Sequence, residues 1–177
     1  MRVLGIDCGS RSTGFGIIES DDKEHRTITF GAIQFHSADA FSRRLVKIHG
    51  EIQRLILTYS PTATAIEDQF YLSNFKSVMK LGQIKGVVIL TAASAGIPVF
   101  EYSPLEVKSA VTGYGRAEKR QVQVMVRNIL KLPNLPTPDD ASDALALAVC
   151  HIHTLETRTK LDLAESAFPR GAKGLLA

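Results

Sequence analysis

The sequence predicts an α/β fold with a five-stranded mixed sheet covered by helices. Three observations predict it. Three segments near the N-terminus have strand character and short links. Two later apolar segments each follow a long helical pattern, so right-handed crossovers would add them in parallel. Most of the remaining chain keeps helical spacing. At 177 residues the chain fits one domain of ordinary size.

The first strand is the apolar run Arg2-Val3-Leu4-Gly5-Ile6-Asp7-Cys8-Gly9, closed by a single carboxylate. A buried acid there must be paired, protonated or metal-bound, unless Asp7 only forms the turn. Residues 9–14 make that turn, Phe15-Gly16-Ile17-Ile18 opens the second strand, and residues 27–35 alternate as a third. Residues 40–59 carry an amphipathic helix that Pro61 stops. Residues 62–67 form a strand that again runs apolar into a carboxylate, Glu67.

Residues 70–75 form an aromatic loop, and residues 74–95 a helix with Gly82, Gly86, Ala92 and Ala93 along it. Residues 98–102 are the fifth strand. Ser103-Pro104-Leu105-Glu106 then has the pattern of a capping box, opening a helix that ends at Gly113-Tyr114-Gly115. Residues 117–132 are helical, with Arg116, Arg120, Arg127 and Lys131 opposite the apolar stripe. Prolines 133, 136 and 138 mark a loop, and Thr137 is placed to cap a last helix running to about residue 155. This divides the chain into a folded domain, 1–156, and a polar, loosely ordered tail, 157–177.

The 45% hydrophobic and 22% charged content is that of a globular protein. The longest apolar run, 86–100, is interrupted by Thr91, Ser94 and Pro98. It falls short of the roughly 20 apolar residues a membrane span needs. The N-terminus enters a strand directly, so no signal peptide is expected. Cys8 and Cys150 form neither a zinc pattern nor a disulfide framework, which suits buried thiols in a reducing cytoplasm. The net charge of +3 is uneven: residues 76–131 carry +6, with −1 before them and −2 after. A polyanion held by the middle of the chain and worked on by acids from both sides fits that division.

Asp7 and Glu67 end separate strands, while Asp140 and Asp143 are three apart on one helix face. If the first and fourth strands are neighbours, four carboxylates can surround one point. Such a cluster repels itself unless hard cations such as Mg²⁺ neutralise it. Two Mg²⁺ about 3.5–4 Å apart would suit phosphodiester hydrolysis. The plainer readings are a turn residue, a surface strand end, helix-capping acids and a solvated basic face.

The segments GIDCGSRSTGFGII, AIEDQF, KLGQIKGV, AEKRQVQVMVRNILKLP and DDASDALALAVCH, in that order, resemble the RuvC family of bacterial Holliday junction resolvases over residues 1–155. The resemblance implies a ribonuclease H-like fold and a homodimer. It also implies Mg²⁺-dependent cleavage of four-way DNA junctions by paired symmetric nicks, with Mn²⁺ as a substitute ion. By resemblance Asp7 bridges two metals, and Glu67, Asp140 and Asp143 supply the other ligands. Phe70 matches an aromatic that stacks on a base near the crossover, and Lys108 and Lys119 match lysines near the scissile phosphates. Lys76, Arg116 and Arg120 join them as expected DNA contacts from the basic middle of the chain. The resemblance also suggests the branch-migration proteins RuvA and RuvB as partners. Cys8 stands where the family commonly has proline, and Arg116 where a serine would cap the helix. Two rival readings are a junction-binding module without catalysis and an actin- or Hsp70-like ATPase fragment, whose phosphate loop Asp7-Cys8-Gly9-Ser10 resembles. That ATPase needs a second lobe for which this chain is too short.

Overall fold

In the computed structural model, which describes residues 1–21, 24–36, 38–68 and 75–167, β1 (Arg2–Cys8) is the central strand of a five-stranded sheet. Its run of apolar residues requires that position, because both of its faces are covered. β2 (Ser12–Ser20) and β3 (His25–Gln34) follow as an antiparallel meander, with an irregularity in register between Ile17 and Ile18. β4 (Ala63–Glu67) pairs parallel to β1, and β5 (Val99–Tyr102) parallel to β4. The order is β3-β2-β1-β4-β5. The expected mixed sheet is therefore present, with β1 and β4 as neighbours.

Alternation along the strands builds one core on each face. Leu4, Ile6, Ile17 and Ile66 point toward α1 (Phe41–Tyr59) and α2 (Phe75–Ser94), meeting Ile48, Ile52, Ile84 and Val88. Val3, Ile18 and Ala65 point the other way. They pack with residues of α3 (Pro104–Thr112), α4 (Lys119–Ile129) and α5 (Asp139–Ala167). Asp7 follows Val3 and Gly5 in the alternation, and Glu67 follows Ala65, so both acids emerge on the α5 side.

α5 lies directly on the sheet because glycine clears its path. A Cβ on Gly14 would collide with the carbonyl oxygen of Asp140, and one on Gly5 with that of Ala144. Gly14 is also the cross-strand partner of Asp7. The same close approach that packs α5 thus brings Asp140 and Asp143 to the end of β1.

Several expected boundaries move. α5 does not end near residue 155 but continues to Ala167, into the segment expected to be a loose tail. The first proline after Pro138 is Pro169, and the Thr157 and Thr159 hydroxyls donate to the carbonyls of His153 and Leu155 within the helix. Thr137 does not cap α5; the carbonyl of Pro138 accepts the first helical bonds, from Ala141 and Ser142. α4 starts at Lys119 rather than 117, and the Glu118 N–H donates to the Gln121 side chain at 2.8 Å. Arg116 therefore lies before the cap and does not weaken it. Lys131 lies beyond α4 with φ of 51° and pairs with Glu24 at 2.5 Å, so it leaves the expected basic face.

Candidate active site

The carboxylates at the ends of β1 and β4 are fixed by strand register. Pairing runs to Ile6 opposite Ile66, and one further step sets Asp7 beside Glu67. Lys85 from α2 anchors the next residues, donating to Asp68 at 2.9 Å and pairing with Glu101 of β5 at 2.5 Å. The Asp68 N–H donates to the Tyr102 carbonyl at 2.8 Å. The end of β4 is thereby tied to both β5 and α2.

Asp7 is the electrostatic focus. Burial first, then the negative charges of Asp143, Glu67 and Asp140, push its carboxyl up to about 7. Lys119 acts in the opposite sense. Asp143 is also raised, chiefly by burial, although Lys119 Nζ donates to its Oδ2 at 2.9 Å. Burial alone would lower Lys119, but its hydrogen bonds and charge contacts with Asp143 and Asp139 outweigh that and hold it above the ordinary lysine range.

A cavity of about 290 Å³ opens onto this group. Asp7, Glu67 and Asp143 face it together with Lys108 of α3 and Lys119 of α4. Asp140 does not line it. Its Oδ2 accepts from the Ser12 hydroxyl at the start of β2, although its charge still reaches Asp7 and Asp143. Asp139 points elsewhere: it is 65% exposed, meets Lys119 at 3.4 Å and accepts from Gln123 at 2.9 Å.

The donor set is all-oxygen and anionic, which fits a hard divalent cation rather than zinc or copper. The fit has a physical basis in Asp7, which burial and three neighbouring acids leave costly to ionise until positive charge arrives. The side chains do not form a closed cage. Among the described residues no three His, Cys, Asp or Glu side chains are gathered closely enough to hold an ion.

The expected DNA contacts fall in several places. Lys108 and Lys119 are in the cavity. Arg116 and Arg120 are exposed beside it, before and within α4, and Lys76 is exposed in the first turn of α2. Arg127 turns onto Asn128, at 3.2 and 2.9 Å. Phe70 lies outside the described residues. Two supporting residues escaped sequence reasoning, Ser12 and Gln123. Ser12 is 128 positions from Asp140, and no local pattern links them. Gln123 is buried on α4 among apolar neighbours, and a polar residue within that stripe was the available signal.

A family model described as "Crossover junction endodeoxyribonuclease RuvC" matches residues 3–151. The chain is 51% identical over 162 residues to a crossover junction endodeoxyribonuclease RuvC of Koribacter versatilis, covering 91% of this chain and 98% of that protein. It is similar to the structure of Thermus thermophilus RuvC, with a TM-score of 0.83 and 33% identity over 90% of this chain and 98% of the other. The same protein in complex with a Holliday junction substrate also aligns with a TM-score of 0.83, at 30% identity and the same coverage.

Proposed function

Because the chain belongs to the RuvC family of crossover junction endodeoxyribonucleases and is a metal-dependent nuclease of ribonuclease H-like fold that resolves Holliday junctions, we propose that it works as a homodimer, with Asp7, Glu67, Asp140 and Asp143 as ligands of two Mg²⁺ per site. The observation that carries this reading is the position of Asp7, half-buried at a strand end within the field of three other acids and lining one cavity with two lysines.

A phosphodiester entering that cavity meets Lys108, Lys119 and the carboxylates Asp7, Glu67 and Asp143 together. Lys108 holds a non-bridging phosphate oxygen. Lys119, already carrying Asp143, both neutralises phosphate charge and orients that carboxylate. Ser12 holds one oxygen of Asp140 and so fixes the orientation of that carboxylate. When bound, two Mg²⁺, or Mn²⁺ with the same preference for oxygen, would supply an activated water and charge neutralisation at the departing oxygen. Arg116, Arg120, Lys76 and Phe70 extend the DNA surface, Phe70 by stacking on a base at the crossover.

A four-way junction is close to two-fold symmetric, and a two-fold dimer presents two equivalent sites to it. α2 supports this assembly. It exposes Phe75, Met79 and Leu90, at 77%, 50% and 66%, with Gly82 and Gly86 between them at helical spacing. The branch-migration proteins RuvA and RuvB are the proposed partners, in the cytoplasm. Among the described residues no helix is long and apolar enough to cross a membrane.

The test uses the full chain and a synthetic four-way junction, with Mg²⁺ or EDTA. Symmetric nicks on two opposed strands, appearing only with the metal, are expected. A protein that grips the junction in EDTA and never nicks it with Mg²⁺ would be a binding module.

A further inference from the structure

Beside the catalytic cavity, at the turn between α3 and α4, is a second groove of about 390 Å³. Tyr114, Arg120, Gln121, Val124 and Met125 line it. Tyr114 is 60% exposed, yet its backbone is held on both sides. Its N–H donates to the Thr112 hydroxyl oxygen at 3.1 Å, and its carbonyl accepts from the Ala117 N–H at 3.1 Å. The flanking glycines are required by the turn. Gly113 has φ of 76°, and a Cβ on Gly115 would sit 2.8 Å from Ser109 Oγ and 3.0 Å from Leu105 Cγ. A fixed turn therefore holds an aromatic ring in the open, in a groove that also has the apolar side chains of Val124 and Met125 and the guanidinium of Arg120, with Arg116 exposed two residues on.

We propose that this groove is a stacking subsite for one nucleobase of the cut strand, with Tyr114 as the platform and Arg120 on the adjoining phosphate. The inference rests on the nuclease reading above. Charge and continuity identify the occupant. Thr112 lies one helical turn, roughly 5.4 Å, beyond Lys108, and Arg120 directly follows Lys119. Both lysines face the catalytic cavity. A strand leaving that cavity on this side crosses Tyr114 within about two nucleotides, at about 3.4 Å of rise each. A base offers what the groove accepts: a π-face for Tyr114, apolar contact for Val124 and Met125, and a polar edge for the Gln121 amide.

The test places 2-aminopurine, one position at a time, within three nucleotides on either side of the mapped nick. Full-length protein is added in EDTA and fluorescence is read. Quenching is expected at one or two adjacent positions, lost in Tyr114→Ala and kept in Tyr114→Phe. Junction affinity should fall about 5- to 150-fold in Tyr114→Ala. Arg120→Gln should bind more weakly and reduce the salt slope by about one. Quenching and affinity at the wild-type level in a folded Tyr114→Ala would overturn the subsite, as would equal losses in Tyr114→Phe and Tyr114→Ala. A wild-type chain that does not nick the junction with Mg²⁺ would instead overturn the nuclease reading. If the wild type nicks normally, those variant results bear on the subsite alone.

Discussion

Lys119 Nζ stands 2.9 Å from Asp143 Oδ2 and 3.4 Å from Asp139 Oδ2, so one α4 side chain bridges two acids of α5 at the edge of the carboxylate-lined cavity. It brings positive charge to a group that otherwise repels itself, and its effect on Asp7 is to favour ionisation. Replacing it with an uncharged residue of similar length leaves the acids to one another.

Lys119→Met should therefore lower the melting temperature of the metal-free protein at pH 7 and enlarge the rise that Mg²⁺ produces. Losing a charged contact to phosphate should also slow single-turnover cleavage by roughly 10- to 100-fold, since such hydrogen bonds contribute about 1.5–3 kcal/mol. Thermal unfolding with and without Mg²⁺, alongside cleavage of a labelled junction, reads both effects. An unchanged rate would place Lys119 away from the reacting phosphate.

Asp7 and His151, the two groups with large shifts in the neutral-to-acid range, act on the pH dependence of stability with opposite signs. Asp7, pushed up to about 7 from an ordinary 3.8, binds its proton more tightly folded than unfolded. Its contribution to metal-free stability therefore falls as pH rises from about 4 to about 7. His151, pushed down to about 4 from 6.5 by burial and the Arg158 charge, stays neutral in the fold while the unfolded chain takes up a proton. Its contribution falls as pH drops from 6.5 to 4. Each slope approaches ~1.4 kcal/mol per pH unit and the two oppose each other. Asp7→Asn removes one of them. In EDTA the variant should be more stable than wild type at pH 7, and the gap should shrink steadily toward pH 4. It should bind the junction and not cut it. Parallel stability curves, or lost binding with lost stability, would make Asp7 a structural residue.

The strand ends that carry Asp7 and Glu67 were legible because local rules set them: apolar runs, alternation, and glycine or proline at the boundaries. The capping box at Ser103 was legible for the same reason, and both of its bonds form, Ser103 N–H to Glu106 at 2.8 Å and Glu106 N–H to Ser103 Oγ at 3.3 Å. The exit of Lys131 from the basic face was not. Helix periodicity continues past it in the sequence, but the chain turns at Leu130 and places Lys131 at positive φ. The length of α5 was missed because its apolar stripe fades near Leu155. A helix that meets no proline or glycine can continue without burial. The Ser12–Asp140 contact joins two elements far apart in sequence, so only packing could reveal it.

Asp139 and Asp140 are adjacent, and helical spacing from Asp143 slightly favours Asp139 as its partner. The resemblance selects Asp140, and their surroundings suggest different roles. Asp140 is held by Ser12 and adds to the negative field at Asp7. Asp139 is largely exposed in the first turn of α5, where a carboxylate benefits from the helix dipole. Asp139→Asn should cost a few tenths to about 1 kcal/mol and cut nearly normally. Asp140→Asn should bind the junction and cut it orders of magnitude more slowly. Chemical denaturation and single-turnover cleavage distinguish them, and an inactive Asp139→Asn beside an active Asp140→Asn would reverse the assignment.

Gly86 on α2 allows dimerisation to be tested apart from folding. A Cβ built there meets nothing within 4 Å, so a larger side chain has open space in the isolated chain. Replacing a mid-helix glycine also gains as much as ~1 kcal/mol of helix propensity, which works against unfolding. Gly86→Glu should keep its circular dichroism and melting temperature. A dimer that closes along Phe75, Met79, Gly86 and Leu90 would instead force two glutamates together in an apolar seam. Sedimentation should then show monomers, and those monomers should fail to nick opposed strands of one junction together. A Gly86→Glu protein that still sediments as a dimer would exclude this face of α2 as the interface.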